Sequence, residues 1–495
     1  MLPDRTAAAA AAAHGLPAIP DPRDYDISPV TGFVPEEFPL THLPDAHYAP
    51  WESVMTNLTP LIMTRQVRAV VDRMPLLRTD RLRTPPELRR AYSILGFMAH
   101  AYVWAGDAPE SDLPTQIAAP LLELAKKLEV PPLATYAGLC LWNHRPIFAD
   151  LDPRDIDLDA LATIHTFTGS YDESWFYLVS TVIECRGAEC INCAVDAMAA
   201  CRAGDSHSAV VALQHLAEHV DELTTLLNRL YDQCDPHVFY YRIRPFLAGS
   251  KNMADAGLPQ GVRYGDEPEH RQYAGGSNAQ SSLVQALDIA LGVVHRPTGE
   301  RADAAADEKR HNNFIHEMRQ YMPGPHRRFL EQLALAANIH DYVKAHPSNS
   351  ALALAYDAAL AMLRSFRDKH IQIVSRYIIL QARGSGAADA AAPAKPAGTG
   401  IAGIALTEKK KARGTGGTAL IPFLKQARDE TGEPAAGSWG RRLLRDDAGS
   451  GRRRRRNYND PYAQMAFGSD DEDDAVVGLA GKWSMSEDYG GICHW

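Results

Sequence analysis

An uninterrupted helical pattern from about Ser350 to Arg383 constrains this chain more than any other stretch. Its apolar positions are Leu352, Tyr356, Ala359, Leu363, Phe366, Ile373 and Tyr377, and His370 falls in register with them. The spacing alternates four and three residues, so these side chains share one helix face. His370 therefore points where a core should be. A buried imidazole needs partners for its ring nitrogens, or it costs free energy. A hydrogen bond or a metal ion can serve. Position alone leaves both readings open, with the hydrogen-bonded core histidine the commoner.

The same period recurs upstream. Leu61 to Met74, Pro86 to Ala105, Leu113 to Leu128, Pro132 to Trp142, Ser174 to Ala203 and Ser208 to Cys234 read as helices. Ser281 to Val294, Glu308 to Met322, Pro325 to Ala337 and Ala419 to Arg428 follow. Strand-like alternation is rare, so the fold class is all-α, and no repeat of solenoid length is present. Residues 1–25 are Ala/Pro-rich and expected to be a disordered tail, as are residues 432–495. Residues 384–417 have linker composition and end in Gly414-Thr415-Gly416-Gly417-Thr418, a mobile lid with glycine hinges or only a linker.

The 495 residues carry a formal charge of -10, so bulk attraction to nucleic acid or anionic membrane is not indicated. No run of apolar residues is long enough to span a bilayer. The alanine run Ala7 to Ala13 lacks the large apolar residues of a signal-peptide core, and a cytoplasmic protein is expected. The seven cysteines are scattered through predicted helices, so a disulfide framework is not expected. Cys190 and Cys193 form a single C-x-x-C, read as helix-buried thiols rather than a zinc site. Arg452 to Arg456 and Asp470 to Asp474 are opposed charge runs, read as a solvated tail in preference to a nucleic-acid patch.

No nucleophile elbow, P-loop or H-E-x-x-H occurs. What remains is a helical protein with a core-facing histidine, aromatic clusters at Trp175-Phe176-Tyr177 and Phe239-Tyr240-Tyr241, and two glycine-rich loops. A large planar cofactor between helices suits that inventory. Phe176 and Ser180 share a helix face. Arg244, beside aromatics and Pro245, is either a carboxylate clamp or a surface ion-pair partner. Ala274-Gly275-Gly276-Ser277-Asn278 either brings bare backbone to a ligand or makes a tight turn.

Several blocks together resemble the indoleamine 2,3-dioxygenase family. They are Pro75-Leu76-Leu77-Arg78, Gly275-Gly276-Ser277 with Gln280-Ser281-Ser282, Met318 to Arg327, Arg367 to Val374 and Gly414 to Thr418. They stand in family order over about residues 30–430. The resemblance implies a small, mainly helical N-terminal domain (26–167) capping the distal pocket of a large helical haem domain (168–431). It implies haem b as cofactor, L-tryptophan and O2 as substrates, a donor that keeps the iron ferrous, and a monomer. The reaction it implies inserts both oxygen atoms across the indole C2–C3 bond to give N-formylkynurenine, the first step of the kynurenine route to NAD.

It also implies roles. His370 matches the proximal iron ligand. Asp288 matches an acid that hydrogen-bonds toward that histidine. Arg367 matches a propionate-pairing arginine. Phe176 and Phe239 match aromatics beside the indole, Tyr136 a wall tyrosine, and Ser180 and Ser277 small polar groups above the haem. Arg244 matches the substrate-carboxylate arginine and Thr415 the lid threonine. No matched distal position carries a strong general base. Asn278 stands where the family often has alanine, and Ser250 where it often has a large aromatic, expected to loosen a pocket edge. These departures and the charged tail keep alternatives in play: a catalytically weak haem-binding or signalling member, or a haem enzyme acting on another indole.

Overall fold

Helix dominates because start signals and apolar period agree. Helix α1 (Pro85–Trp104) opens on a reciprocal cap: the Glu87 N–H donates to Thr84 Oγ1, and the Glu87 carboxylate accepts from the Thr84 N–H at 2.9 Å. Helix α2 is Thr115–Leu128. Helix α3 (Tyr171–Ala203) starts where the Ser170 hydroxyl accepts from Glu173 N–H and stops at Gly204, whose φ of 72° suits glycine. Asp205 caps α4 (Ser206–Asn228), and Ser281 caps α5 (Ser282–Ala290). Helix α6 is Gly324–Ala336, and Asn349 caps α7 (Ser350–Val374). Helices α8 (Leu420–Thr431) and α9 (Ser438–Leu444) complete the set used below.

The computed structural model describes residues 16–148, 151–152, 156–297, 314–382 and 420–444, together with the backbone of a hairpin pairing Ala475–Gly478 with Gly481–Ser484. Helix α4 packs along both α3 and α7, α5 lies between α3 and α6, and α8 runs against α7. The other described strands are short. Asp112–Leu113 pairs parallel with Val262–Tyr264, which pairs antiparallel with His270–Arg271, and His144–Pro146 pairs with Leu161–Thr163. None forms a layer, so the fold is mainly helical, as the periodicity requires. The main apolar core draws on residues from Ile27 to Leu444, so the N-terminal part and the long helices share it, and Leu133, Ala274, Met318 and Tyr321 form a smaller cluster beside it. Among the described residues no helix is long and apolar enough to cross a membrane.

Three π-helical turns occur among the described residues, at Ala137–Leu141, Phe239–Ile243 and Ser375–Ile379. Each supplies side chains to the same cavity: Leu139 and Cys140, Phe239, and Tyr377 with Ile378. A π turn re-aims side chains that a regular helix would carry past, which is why such turns gather at functional sites.

The structure differs from the sequence expectations at several boundaries. The expected helix over 61–74 is two short ones, Leu58–Met63 and Val67–Val71, broken at Arg65 with φ 58°. The segment 132–142 is irregular up to its π turn. The expected N-terminal tail is ordered from residue 16, where Pro22–Tyr25 forms a turn and Tyr25 packs on Phe329. The expected C-terminal tail contains α9: the Asp357 carboxylate accepts from the Ala436 and Gly437 N–H groups at 2.8 Å, and Leu444 is fully buried. Cys190 and Cys193 lie inside α3 as free thiols, Cys190 buried as read and Cys193 half-buried. The lid segment and both charge runs lie outside the described residues.

Candidate functional site

Helices α3, α5, α7 and α8, with the three π turns, surround a cavity of about 240 Å³. A single water needs only ~10–15 Å³ on this measure, so the space is a built chamber and not a packing defect. Tyr136, Phe176, Ser180, Phe239, Arg244, Ser277, Asp288, Arg367 and His370 all line it. The nine come from segments up to 234 positions apart, a separation read from Tyr136 and His370. Thr415 lies outside the described residues.

His370 closes one wall. The stripe on α7 divides as it climbs: Leu352, Tyr356, Ala359 and Leu363 are buried in the core, while Phe366 and His370 keep part of their surface open to the cavity. No hydrogen bond reaches the His370 ring among the described residues. Its apolar surroundings, and then the Arg367 cation, push its pKa down to about 4. The ring is therefore neutral at physiological pH, the form that donates a lone pair to iron.

Behind His370 the charges are saturated. Arg367 donates to both Asp288 oxygens, at 2.8 and 2.6 Å, and to Thr431 Oγ1 at 2.7 Å. His295 bridges Asp288 at 3.0 Å and Glu430 at 2.7 Å. Burial opposes the ionised form of Asp288, but Arg367 and His295 outweigh it and hold its pKa low. Burial likewise pulls His295 down, and the two carboxylates outweigh it, leaving its pKa raised. Here the structure corrects an expectation: Asp288 serves Arg367 and His295, with no hydrogen bond to His370. Arg367 points along this network, so a propionate would have to share it.

The opposite wall is sparser. Phe176 and Phe239 meet with ring centres 4.8 Å apart, and Phe239 stands edge-on to Tyr377 at 5.7 Å. Ser180 Oγ donates to the Phe176 carbonyl at 3.4 Å. Arg244 lies over the Tyr240 ring at 5.3 Å, and burial pushes its pKa down. Ser277 caps the turn Asn278–Gln280, with its hydroxyl accepting from Ala279 N–H at 3.3 Å. The glycine loop has two distinct reasons for its composition. A Cβ on Gly275 would strike the Leu247 carbonyl at 2.0 Å, whereas Gly276 lines the cavity. Asn278 is exposed at the rim. Ser250 is not on this cavity at all: it is buried, donates to the Arg271 carbonyl at 3.2 Å and accepts from Tyr273 N–H at 3.1 Å.

Two features escaped the sequence reading. Glu184 lines the cavity on the same α3 face as Phe176 and Ser180, at successive spacings of four residues, so periodicity alone could have found it. The expectation of no strong base covered only the matched positions, and Glu184 adds a carboxyl outside them. Glu430 and Thr431 carried no local signal, because their partners in the network lie 64 or more positions away, and His295, though only seven residues from Asp288, lies beyond the end of α5 where no helical period marks it.

The donor set limits what could sit here. No cluster of three or more His, Cys, Asp or Glu side chains able to hold a metal ion exists among the described residues. A lone neutral imidazole facing a large apolar chamber suits an iron whose remaining ligands come from a non-protein group, which fits a haem. The fold and site thus define a class of helical protein in which one histidine with no hydrogen-bond partner among the described residues faces a largely apolar chamber.

Comparison with known proteins narrows that class. The indoleamine 2,3-dioxygenase family model matches residues 21–434. The chain is 46% identical over 420 residues to the indoleamine 2,3-dioxygenase of Saccharomyces cerevisiae, covering 82% of this chain and 92% of the relative. It is 37% identical over 411 residues to the 6-hydroxytryptophan 2,3-dioxygenase fscD of Fusarium equiseti, covering 82% and 96%. It is 34% identical over 411 residues to human indoleamine 2,3-dioxygenase 2, covering 82% and 93%. The chain belongs to the indoleamine 2,3-dioxygenase family and is a dioxygenase acting on tryptophan or a related indoleamine.

Proposed function

We propose that the substrate is L-tryptophan, that both atoms of O2 are inserted across the indole C2–C3 bond, and that N-formylkynurenine is released. The observation carrying this reading is the partnerless, neutral His370 facing a chamber whose far wall is Phe176 and Phe239. Haem b would be held by His370, with Arg367 at its edge. When bound, it supplies the dioxygen chemistry that no side chain here can perform.

The chain's own residues bind, orient and exclude water. Phe176 and Phe239 present edges and faces that suit a flat indole and keep the chamber dry. Arg244, positioned by its π turn and its stacking on Tyr240, receives the substrate carboxylate. Ser277 and the bare Gly276 backbone border the amino-acid end. Thr415 would close over the bound substrate, and the protein would work as a cytoplasmic monomer with a separate electron donor. Holding the indole in one pose removes much of the orientational entropy from the barrier.

The test is product formation from L-tryptophan by haem-loaded protein under reducing conditions; no N-formylkynurenine at millimolar substrate overturns the reading. Arg244→Ala sharpens it. Losing a charge-assisted contact costs about 1.5–3 kcal/mol, so KM for L-tryptophan rises by roughly tenfold or more while KM for tryptamine, which lacks the carboxylate, changes little. A ring-hydroxylated tryptophan is a second reading, favoured by the Fusarium relative and by the polar groups of Tyr136 and Ser180 in the wall. Competition between L-tryptophan and 6-hydroxytryptophan decides between them.

A further inference from the structure

Glu184 is the unexplained group of the α3 wall. It is 1% exposed, and it lines the cavity in a wall that is otherwise apolar or hydroxylic. Its Oε1 accepts from the Tyr136 hydroxyl at 3.1 Å, and Tyr136 is itself fixed at its backbone, where its N–H donates to Gln280 Oε1 at 2.9 Å. Its Oε2 is buried with no hydrogen-bond partner of good geometry, although the Ser281 hydroxyl and the Leu283 N–H face the carboxyl. A carboxyl that only braced the fold would be expected to have both oxygens satisfied. This one spends one oxygen on a wall residue of the cavity and leaves the other without a partner of good geometry.

We propose that Glu184 is a positioning residue for substrate: its carboxyl accepts from Tyr136 and holds that ring in the wall that receives the indole, its protonated form leaves the wall uncharged, and ionisation weakens substrate binding by setting a negative charge against it. The proposal rests on the reading of the cavity as a tryptophan site. The groups facing Glu184 are Tyr136 and Cys140 from the 136–141 segment, Ser180 one turn before it on α3, and the Ser281 hydroxyl and Leu283 N–H at the start of α5. Arg244, Asp288, Arg367 and His370 line the same cavity from other elements. Burial pushes the Glu184 pKa up to about 7, against the opposing pull of Ser281, Tyr136 and Leu283. The carboxyl therefore changes state across neutral pH. No covalent step is involved, and the proton leaves to solvent.

The experiment measures KM and calorimetric affinity for L-tryptophan on the haem-loaded full chain between pH 6 and pH 8. If only the protonated form binds well, a group titrating near neutrality weakens binding by up to about tenfold across that window. Glu184→Gln keeps an acceptor for Tyr136 and cannot ionise, so its pH 8 to pH 6 ratio falls to about one. Tyr136→Phe removes a donor that favours the ionised carboxyl, so its inflection moves to higher pH, a shift that a merely structural role would not produce. Infrared difference spectra between the two pH values give a readout independent of turnover: a buried carboxylic-acid band is lost in the wild type and absent from Glu184→Gln. A flat wild-type profile, or an unchanged inflection in Glu184→Gln, overturns the proposal. Absence of product at every pH overturns the tryptophan reading instead, and the infrared band then still reports whether Glu184 titrates.

Discussion

The two walls of the cavity handle buried polarity in opposite ways. On the α7 wall Arg367, Asp288, His295, Glu430 and Thr431 satisfy one another, while the His370 ring that faces the cavity makes no hydrogen bond among the described residues. On the α3 wall, Arg244 apart, the polar groups are hydroxyls and the Glu184 carboxyl, one of whose oxygens has no hydrogen-bond partner of good geometry. A saturated network fixes geometry, since each member holds the others at short distances. An unsaturated wall leaves interaction energy to be realised when a ligand arrives. The contrast matches a division of labour in which α7 anchors a permanent group and α3 receives a transient one.

The sharpest way to break that contrast is at its cavity-facing imidazole. His370→Ala removes the donor while leaving the ion network intact, and stable haem binding is lost, read as loss of the Soret band with folded helical content retained. An unchanged Soret band would show that the α7 wall does not anchor iron. Asp288→Ala attacks the network instead. Arg367 and His295 would be left as buried cations with one carboxylate fewer, and removing one partner of such a set costs about 3–5 kcal/mol. The urea midpoint falls accordingly. A loss below about 1 kcal/mol would mean that water enters and the wall is not saturated.

How much of this was legible in the sequence follows from the same contrast. The α3 wall lies on one helix face, so Phe176 and Ser180 could be placed by period alone, and Glu184 shares their spacing. The apolar stripe of α7 was also legible, because core-facing residues repeat every three or four positions. Its polar face was not. Arg364, Arg367 and Asp368 are buried against residues 428–444: Arg364 reaches the Leu444 carbonyl, and Arg428 donates to Asp368 at 3.2 Å. Such pairs join residues some 60 to 80 positions apart, and no local pattern marks them. Residues 433–444 have the composition of a tail, yet they fold because α7 offers them carboxylate and guanidinium partners. Tyr136 was reached only through the family resemblance, and residue types alone left Arg244 open between a carboxylate clamp and a surface ion-pair partner, since π turns shift the helical register that periodicity assumes.

His295 gives a subtler probe. Its pKa is raised, so its contribution to stability is fully present below the usual histidine value and fades as pH rises through the higher folded one. Asp288 behaves in the opposite sense: its pKa is lowered, so its contribution is present above the usual carboxylate range and fades as pH falls through the depressed value. The thermal midpoint therefore declines on both the alkaline and the acid side. His295→Gln removes the alkaline decline and keeps the acid one. Loss of both, or of neither, would show that the network is not bridged through His295.

The smallest effect belongs to a residue just off the cavity, and it sets the limit of the comparison. Ser250 replaces a large aromatic common in the family, but its hydroxyl is tied to the Arg271 carbonyl and the Tyr273 N–H. Three positions earlier Leu247 does line the cavity, and its carbonyl is packed against Gly275. Ser250→Ala removes two hydrogen bonds at a buried site, which costs on the order of 1–3 kcal/mol because the Tyr273 N–H is left unpaired. KM for tryptophan should shift by less than about twofold, since the backbone contact between Leu247 and Gly275 does not depend on the hydroxyl. A severalfold change in KM at unchanged fold would mean that the loop behind the glycines transmits to the substrate wall, and the α3 side would then owe its shape to more than its own helix.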